Sequence, residues 1–367
     1  MFGPKAYIHS KRFKTNLENI KKHIGNKRLM LVVKANAYGH GIKQICSLIK
    51  DDPNLFLCVF SISEAIELRS FGVKNKILVL SKIESCWLMQ AIKLDLSINV
   101  SNLNDIKIIS EFYKKENKCP SFHLKFDTGM TRLGFDKKDI EKVIDFLLKN
   151  KKLPIEGLYS HFATADEGEL SFSYGQLSIF NKILKTMEKF KINIPYIHCS
   201  NSGSILNLPE SYFNIVRVGM LVYGVSPSEE VSMKIDVKPV MSFCGSIVNV
   251  RKVDPGTQIS YGGVYKVKLK SNIAVVQTGF ADGLPRNWYE NGYVSYKGSY
   301  YKIAGRICMD QLMIDFGSIT PKEGEEVLFF GKKDQNEIYI EKIAKEIKTT
   351  TYVLLTAVRG RTERLLI

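Results

Sequence analysis

Apolar residues along the chain fall into two textures. Short strand-forming runs recur through the first two-thirds: LMLVV (29–33), LFLCVF (55–60), KILVL (76–80), LSINV (96–100), FHLKF (122–126), EGLYSH (156–161), PYIHCS (195–200) and FNIVRVG (213–219). Between most of them the spacing becomes helical. ISEAIELRSFG keeps that spacing and stops at glycine, KDIEKVIDFLLKNKK ends on a basic turn, and LSIFNKILKTMEKF repeats the pattern. Eight strands alternating with helices over about 220 residues predict an α/β fold, a closed parallel (β/α)8 or TIM barrel. A doubly wound open sheet is the alternative, but the GxGxxG loop expected after its first strand is absent.

The texture changes after SPSEE (226–230), a polar linker containing proline. VMSFCGSIVNVRKV, SNIAVVQTGF, YYKIAGRICMDQLMIDF and EEVLFFG follow without intervening helices, separated by Gly-rich turns, and IEKIAKEI is the one late helical stretch. The expected division is a barrel domain over 1–235 and a mostly β domain over 236–367.

Charge and cysteine content narrow the classes. A net charge of +16 raises nucleic acid as a partner. The lysines scatter through IKKHIGNKR, FYKKENK, KNKK and FGKK, however, with no basic block interleaved with aromatics, so the charge reads as compositional bias. The seven cysteines are odd in number and lack zinc-type spacing, which argues against a disulfide framework. MFGPKAYIHS has no apolar leader core, and no stretch approaches membrane-spanning length. The expectation is a cytoplasmic protein without nucleic-acid or membrane partners.

VVKANAYGHG (32–41) sets a lysine directly behind a strand. Lys34 either ends that strand in water or stands at the mouth of a pocket. In a barrel the C-terminal strand ends share one mouth, and that mouth hosts the chemistry. Lys34 follows the first strand; Lys125, Asp127 and Arg132 go with the fifth; His161 ends the sixth. Asn201 and Ser202 follow the seventh, and Arg217 and Gly219 close the eighth. SNSGS (200–204) and RVGM (217–220) offer a hydroxyl, glycines and free N–H groups where this fold commonly binds phosphate. A lysine across from a phosphate site points to pyridoxal 5'-phosphate (PLP) held as a Schiff base. A metal reading of His123, His161 and His198, about 38 residues apart, lacks a carboxylate partner at ligand spacing, and His198 reads as a core residue.

Over nearly its full length the chain resembles the alanine racemase family. The segments that carry the resemblance are VVKANAYGHG, LKFDTGMTRLGF, SHFATADE, the SNS stretch, RVGMLVYG, SYGG, GFADGLPR and GRICMDQLMID, in that order. The resemblance implies a PLP-dependent isomerase that interconverts L- and D-alanine through a PLP external aldimine and supplies D-alanine for peptidoglycan. It also implies a homodimer with composite active sites. Lys34 would carry PLP and act as base on one face of the substrate Cα, with Tyr261 from the other subunit as the opposing base. Tyr38, Ser202, Tyr352, Gly219 and Met220 would hold the phosphate. Arg217, oriented by His161, would face the pyridine nitrogen. Arg132 and the backbone of Met309 would take the substrate carboxylate, with Asn201 and Asp310 in support. Asp166, Arg286 and Arg306 would line an access corridor.

Elementary chemistry agrees with these residue types. Free Lys and Tyr both have pKa values near ~10, so neighbouring cations, or burial for Lys, must lower them before they serve as bases at neutral pH. A guanidinium donates but does not give up its proton. The ring nitrogen opposite Arg217 therefore stays unprotonated and the ring is a weaker electron sink, which favours quick reprotonation at Cα and racemisation over transamination. Lys125 in FHLKFD leaves two readings: a salt bridge to Asp127, or, by resemblance, a carbamylated side chain that steadies Arg132. A racemase of broader substrate range is the alternative function. PLP decarboxylases of similar architecture would need an acidic partner for the nitrogen, where this chain has Arg217.

Overall fold

The computed structural model describes residues 2–50 and 52–367; Met1, where the expected barrel unit begins, and Asp51 lie outside the described residues. After β1 (Pro4–Ile8), the eight expected barrel strands form as β2 (Arg28–Val32), β3 (Phe56–Val59), β4 (Ile77–Lys82), β5 (Leu96–Val100), β6 (Phe122–Lys125), β7 (Ile155–Tyr159), β8 (Tyr196–His198) and β9 (Ile215–Val218). They pair in parallel in the order β8-β7-β6-β5-β4-β3-β2-β9. Helices cover the outer faces, which explains why these strands read as continuous apolar runs rather than alternating ones.

Local signals place the helices. Helix Ile62–Ser70 starts at a reciprocal cap: the Ser61 hydroxyl accepts from Glu64 N (3.3 Å), and the Glu64 carboxylate accepts from Ser61 N (3.0 Å). Helix Ile140–Lys149 buries Val143, Ile144 and Leu147 on one stripe. The seam between β8 and β9 is bridged by side chains. Asn214 Oδ1 accepts from Ile197 N (2.8 Å), its Nδ2 donates to Pro195 O (2.7 Å), and Arg217 donates to the carbonyls of His198 and Cys199.

The second sheet has nine strands around β10 (Met241–Val253). One of them corrects the expected 1–235 division. Strand β1 belongs to this sheet, antiparallel to β10 with Ala6 opposite Phe243, and parallel to Glu363–Leu366 with Ala6 opposite Arg364. Its alternation buries Ala6 and Ile8, but so short a run carries no sign of which sheet it joins.

A second late helix, Thr351–Ala357, joins the expected one, which forms over Ile340–Glu346. Its TYVLLTA sequence is rich in β-branched and aromatic residues, and burial of Leu354 and Leu355 overrides that preference. The helix brings Tyr352 to within 6.1 Å of Tyr38, ring to ring. Among the described residues no helix is long and apolar enough to cross a membrane.

Candidate active site

The C-terminal ends of the barrel strands open into a cavity of about 540 Å³. Lys34, Tyr38, Lys125, Arg132 and His161 line part of its wall. Asn201, Ser202, Arg217, Gly219, Met220 and Tyr352 complete it. Eleven of the residues expected at the site are thus brought together, drawn from five strand ends and from helix Thr351–Ala357.

Lys34 leaves β2 into a turn of unusual hand. Ala35, Asn36, Ala37 and Tyr38 all take φ between 51° and 53°. For L-residues this left-handed geometry costs on the order of 1–2 kcal/mol each, and such strain gathers where function requires it. Surrounding groups hold the turn. Ala35 N donates to Glu64 Oε1 (2.7 Å), Ile42 N donates to Asn36 Oδ1 (2.7 Å), and Ala37 N donates to Val33 O (3.0 Å). Asn36 and Gly39 are residues that tolerate positive φ, but nothing in Ala-Asn-Ala-Tyr announces four such residues in a row.

Two amines share the cavity. Burial, and then the Arg132 charge, lower the pKa of Lys34. The same two causes, with Arg217 third, bring Lys125 down to about 8. The bridge between Lys125 and Asp127 does not form. Asp127 instead closes the following turn, accepting from Gly129 N (2.8 Å) and Arg132 N (3.0 Å), while Lys125 Nζ sits 5.6 Å from the centre of the Tyr159 ring.

Arg217 is buried, and its donors NH1 and NH2 are committed. NH2 reaches Ser160 O (2.8 Å), His161 Nδ1 (3.0 Å) and Cys199 O (3.1 Å). NH1 reaches His198 Nδ1 at 2.6 Å. His161 therefore contacts Arg217 as expected. His198, read from the sequence as a core residue, is buried yet serves as a second ring partner of the guanidinium. It ends β8, level with Tyr159 across the sheet, and the strand-end position that gathered the other site residues is the signal that could have found it. Nε–H is left without a protein acceptor among the described residues.

The opposite wall is closely fitted. Gly219 N donates to Ser202 Oγ (3.1 Å), and a Cβ at Gly219 would lie 2.6 Å from Tyr38 Oη. Asn201 caps helix Ser202–Asn207, its side chain accepting from Ser204 N (3.0 Å). A hydroxyl, a phenol and backbone N–H groups meeting at a barrel mouth suit a phosphate monoester.

Other expected residues stand apart from this cavity in the single chain. Tyr261 is 67% exposed and Met309 57% exposed, both on the second domain. Asp310 pairs with Arg361, which also holds Asp282 at 2.7 Å. Asp166 lines a neighbouring depression with Thr350 and Thr351. Arg286 lies 5.9 Å from the centre of the Phe280 ring, and the Arg306 carbonyl accepts from Ser260 Oγ at 2.6 Å.

Residues 8–227 match the pattern described as "Alanine racemase, N-terminal domain", and residues 240–366 match "Alanine racemase, C-terminal domain". The chain is 36% identical to alanine racemase 2 of Caldanaerobacter subterraneus over 355 residues, covering 96% of this chain and 92% of the relative. Its fold superposes on the solved alanine racemase of Clostridium difficile 630 with a TM-score of 0.93, at 33% identity, covering 100% of this chain and 96% of the other. It also superposes on the alanine racemase of Bartonella henselae, solved with covalently bound pyridoxal phosphate, with a TM-score of 0.88 at 26% identity; coverage is 100% of this chain and 99% of that one.

Proposed function

The chain belongs to the alanine racemase family, and from that membership we infer that it is a PLP-dependent enzyme interconverting L- and D-alanine at the mouth of its barrel. The observation that carries the reading is the convergence of Lys34 and Arg217 on one cavity, with Gly219, Ser202 and Tyr38 on its wall. The cavity is of a size that holds a small cofactor and a substrate, within the roughly 300–1,000 Å³ usual for ligand sites. PLP supplies a conjugated ring that spreads the negative charge left at the substrate Cα.

Each of the chain's own groups has a task in this reading. Lys34, its ammonium form disfavoured by burial and Arg132, holds the aldehyde and then moves the proton on one face of Cα. Tyr38, Ser202, Tyr352 and the N–H groups of Gly219 and Met220 hold the phosphate. Arg217 offers Nε–H to the ring nitrogen without giving up its proton. Arg132 takes the substrate carboxylate. Lys125, with its pKa near 8, keeps a neutral fraction able to add carbon dioxide; the resulting carbamate would brace Arg132.

The other face of Cα needs a second base. We propose that Tyr261 of the partner subunit supplies it, beside the backbone of Met309 of the partner subunit, in a head-to-tail homodimer. The support is that both residues are prominently exposed and lie off their own chain's cavity, on a domain whose exposed apolar residues also include Val264 and Leu269. In the same reading Asp166, Arg286 and Arg306 line the access corridor, Asn201 and Asp310 support the site, and the enzyme works in the cytoplasm to supply D-alanine for peptidoglycan.

Borohydride reduction of the purified yellow protein followed by peptide mass analysis tests the reading. The expected result is a pyridoxyl adduct at Lys34, together with racemisation of alanine faster than of Ser, Lys or Arg. An adduct at another lysine overturns the cofactor assignment, and equal rates favour the broader racemase.

A further inference from the structure

The interior of a (β/α)8 barrel is ordinarily filled by layers of apolar side chains. Here a file of polar groups runs down it from the mouth. Arg217 NH1 donates to His198 Nδ1 (2.6 Å), and His198 Nε2 faces His123 Nδ1 at 2.8 Å. His123 Nε2 in turn lies 3.6 Å from Glu156 Oε2. Glu156 accepts from the Ser97 hydroxyl and pairs with Lys76 at the barrel floor. The strand registers set these groups on descending levels. His198 lies opposite Tyr159 and His123 opposite Gly157, with Glu156 one residue nearer the start of β7.

Hydrogen-bond bookkeeping fixes the tautomers. A guanidinium only donates, so His198 Nδ1 accepts and its ring proton sits on Nε2. That proton requires an acceptor, so His123 Nδ1 is bare and the His123 proton sits on Nε2, which faces Glu156 Oε2 from 3.6 Å without a hydrogen-bond partner. The cation at the mouth therefore sets the direction of the two hydrogen bonds, and the Glu156 carboxylate near the floor favours the same direction through space. Burial keeps both rings neutral, with His123 down to about 3 and His198 well below its ordinary value. The surroundings are shaped to the rings. A Cβ at Gly157 would lie 2.1 Å from His123 Nδ1, and Tyr159 stacks on His198 with centroids 4.7 Å apart and planes 11° apart.

We propose that His198, His123 and Glu156 are positioning residues that hold the Arg217 guanidinium from the barrel floor, leaving its Nε–H in one fixed orientation toward the cofactor's ring nitrogen. This rests on the reading of Arg217 as that nitrogen's partner. Without the acceptor at His123, the His198 Nε2–H, kept on that nitrogen by the Arg217 donor, is left buried and unpaired, and the ring tilts to find another acceptor. The guanidinium would then turn away.

Two variants at one position separate this from packing. His123→Asn is smaller than the ring but keeps an oxygen where Nδ1 accepted. His123→Leu is closer in volume but accepts nothing. In the full chain loaded with PLP and labelled with ¹⁵N-histidine, the expected wild-type spectrum has His198 protonated on Nε2. His123→Asn keeps that N–H hydrogen-bonded, whereas His123→Leu leaves it unpaired, shifts the His198 Nε2 resonance and lowers kcat for alanine about tenfold, with PLP still bound. The opposite order, Leu near wild type and Asn impaired, makes the contact one of packing and overturns the relay; so does a wild-type His198 protonated on Nδ1. A His198 Nε2 resonance that shifts in His123→Leu while kcat and the cofactor's absorbance stay unchanged overturns instead the assignment of Arg217 to the ring nitrogen. Should His123→Leu fail to fold, Glu156→Gln carries the test. Shifted His123 and His198 ring resonances with kcat down about threefold support the relay, and unchanged resonances overturn it.

Discussion

Gly219 and Tyr38 approach so closely that a single added carbon on the glycine would lie 2.6 Å from the phenol oxygen. The same glycine donates its N–H to Ser202 Oγ, so three residues from separate strand ends meet at one point. Gly219→Ala must push Tyr38 off this corner. The expected outcome is PLP binding weakened about tenfold, read by titrating PLP against the cofactor's absorbance, with stability lowered less than Tyr38 burial alone would predict.

The left-handed turn behind Lys34 reverses a common expectation. In a right-handed helix, Ala→Gly costs about 1 kcal/mol. At Ala35, where φ is 53°, glycine removes the steric penalty and Ala35→Gly should raise stability by about 0.5–1 kcal/mol. Urea unfolding of the two proteins measures it. Turnover should fall, because the turn that aims Lys34 loses its stiffness.

Lys125 gives a pH test with a definite sign. Its pKa is held at about 8 in the fold, against 10.5 for the free side chain. Between these values the unfolded chain binds more protons, so stability rises with pH there. Below about 8 the full penalty applies. In carbon-dioxide-free buffer, Lys125→Met should stabilise the fold at pH 7 by roughly 2–3 kcal/mol. Denaturant midpoints measured from pH 7 upward should show that advantage shrinking through the window and vanishing by its upper end.

Tyr261→Phe addresses the second base. The variant should bind PLP normally, since the groups assigned to hold the cofactor all line the barrel mouth and Tyr261 is not among them. Alanine Cα exchange with deuterated solvent should become strongly dependent on which enantiomer is supplied. Equal uptake from both enantiomers would assign the second proton to another group.

Patterns with a strong local cause were readable from residues alone. The barrel strands are buried on both faces and stand as unbroken apolar runs, and the strand-end rule then gathered Lys34, Arg132, His161, Ser202 and Arg217 at one mouth. What escaped reading depends on contacts distant in the chain. Strand β1 owes its place to β10, some 235 residues on, and helix Thr351–Ala357 owes its form to burial rather than to its β-branched residues. His198 looked like filler because the register that sets it beside Arg217 is invisible in a single strand.

The lodging of Pro4–Ile8 between β10 and Glu363–Leu366 has a consequence for how the molecule can be cut and how it matures. A ribosome delivers this segment well ahead of its partner, and its edge waits uncovered until some 230 further residues have emerged. Severing the polypeptide at the linker would not yield two self-sufficient halves. The downstream fragment would lack a penultimate strand and so leave Glu363–Leu366 with nothing to hydrogen-bond, while the upstream fragment would carry a sticky orphan ribbon.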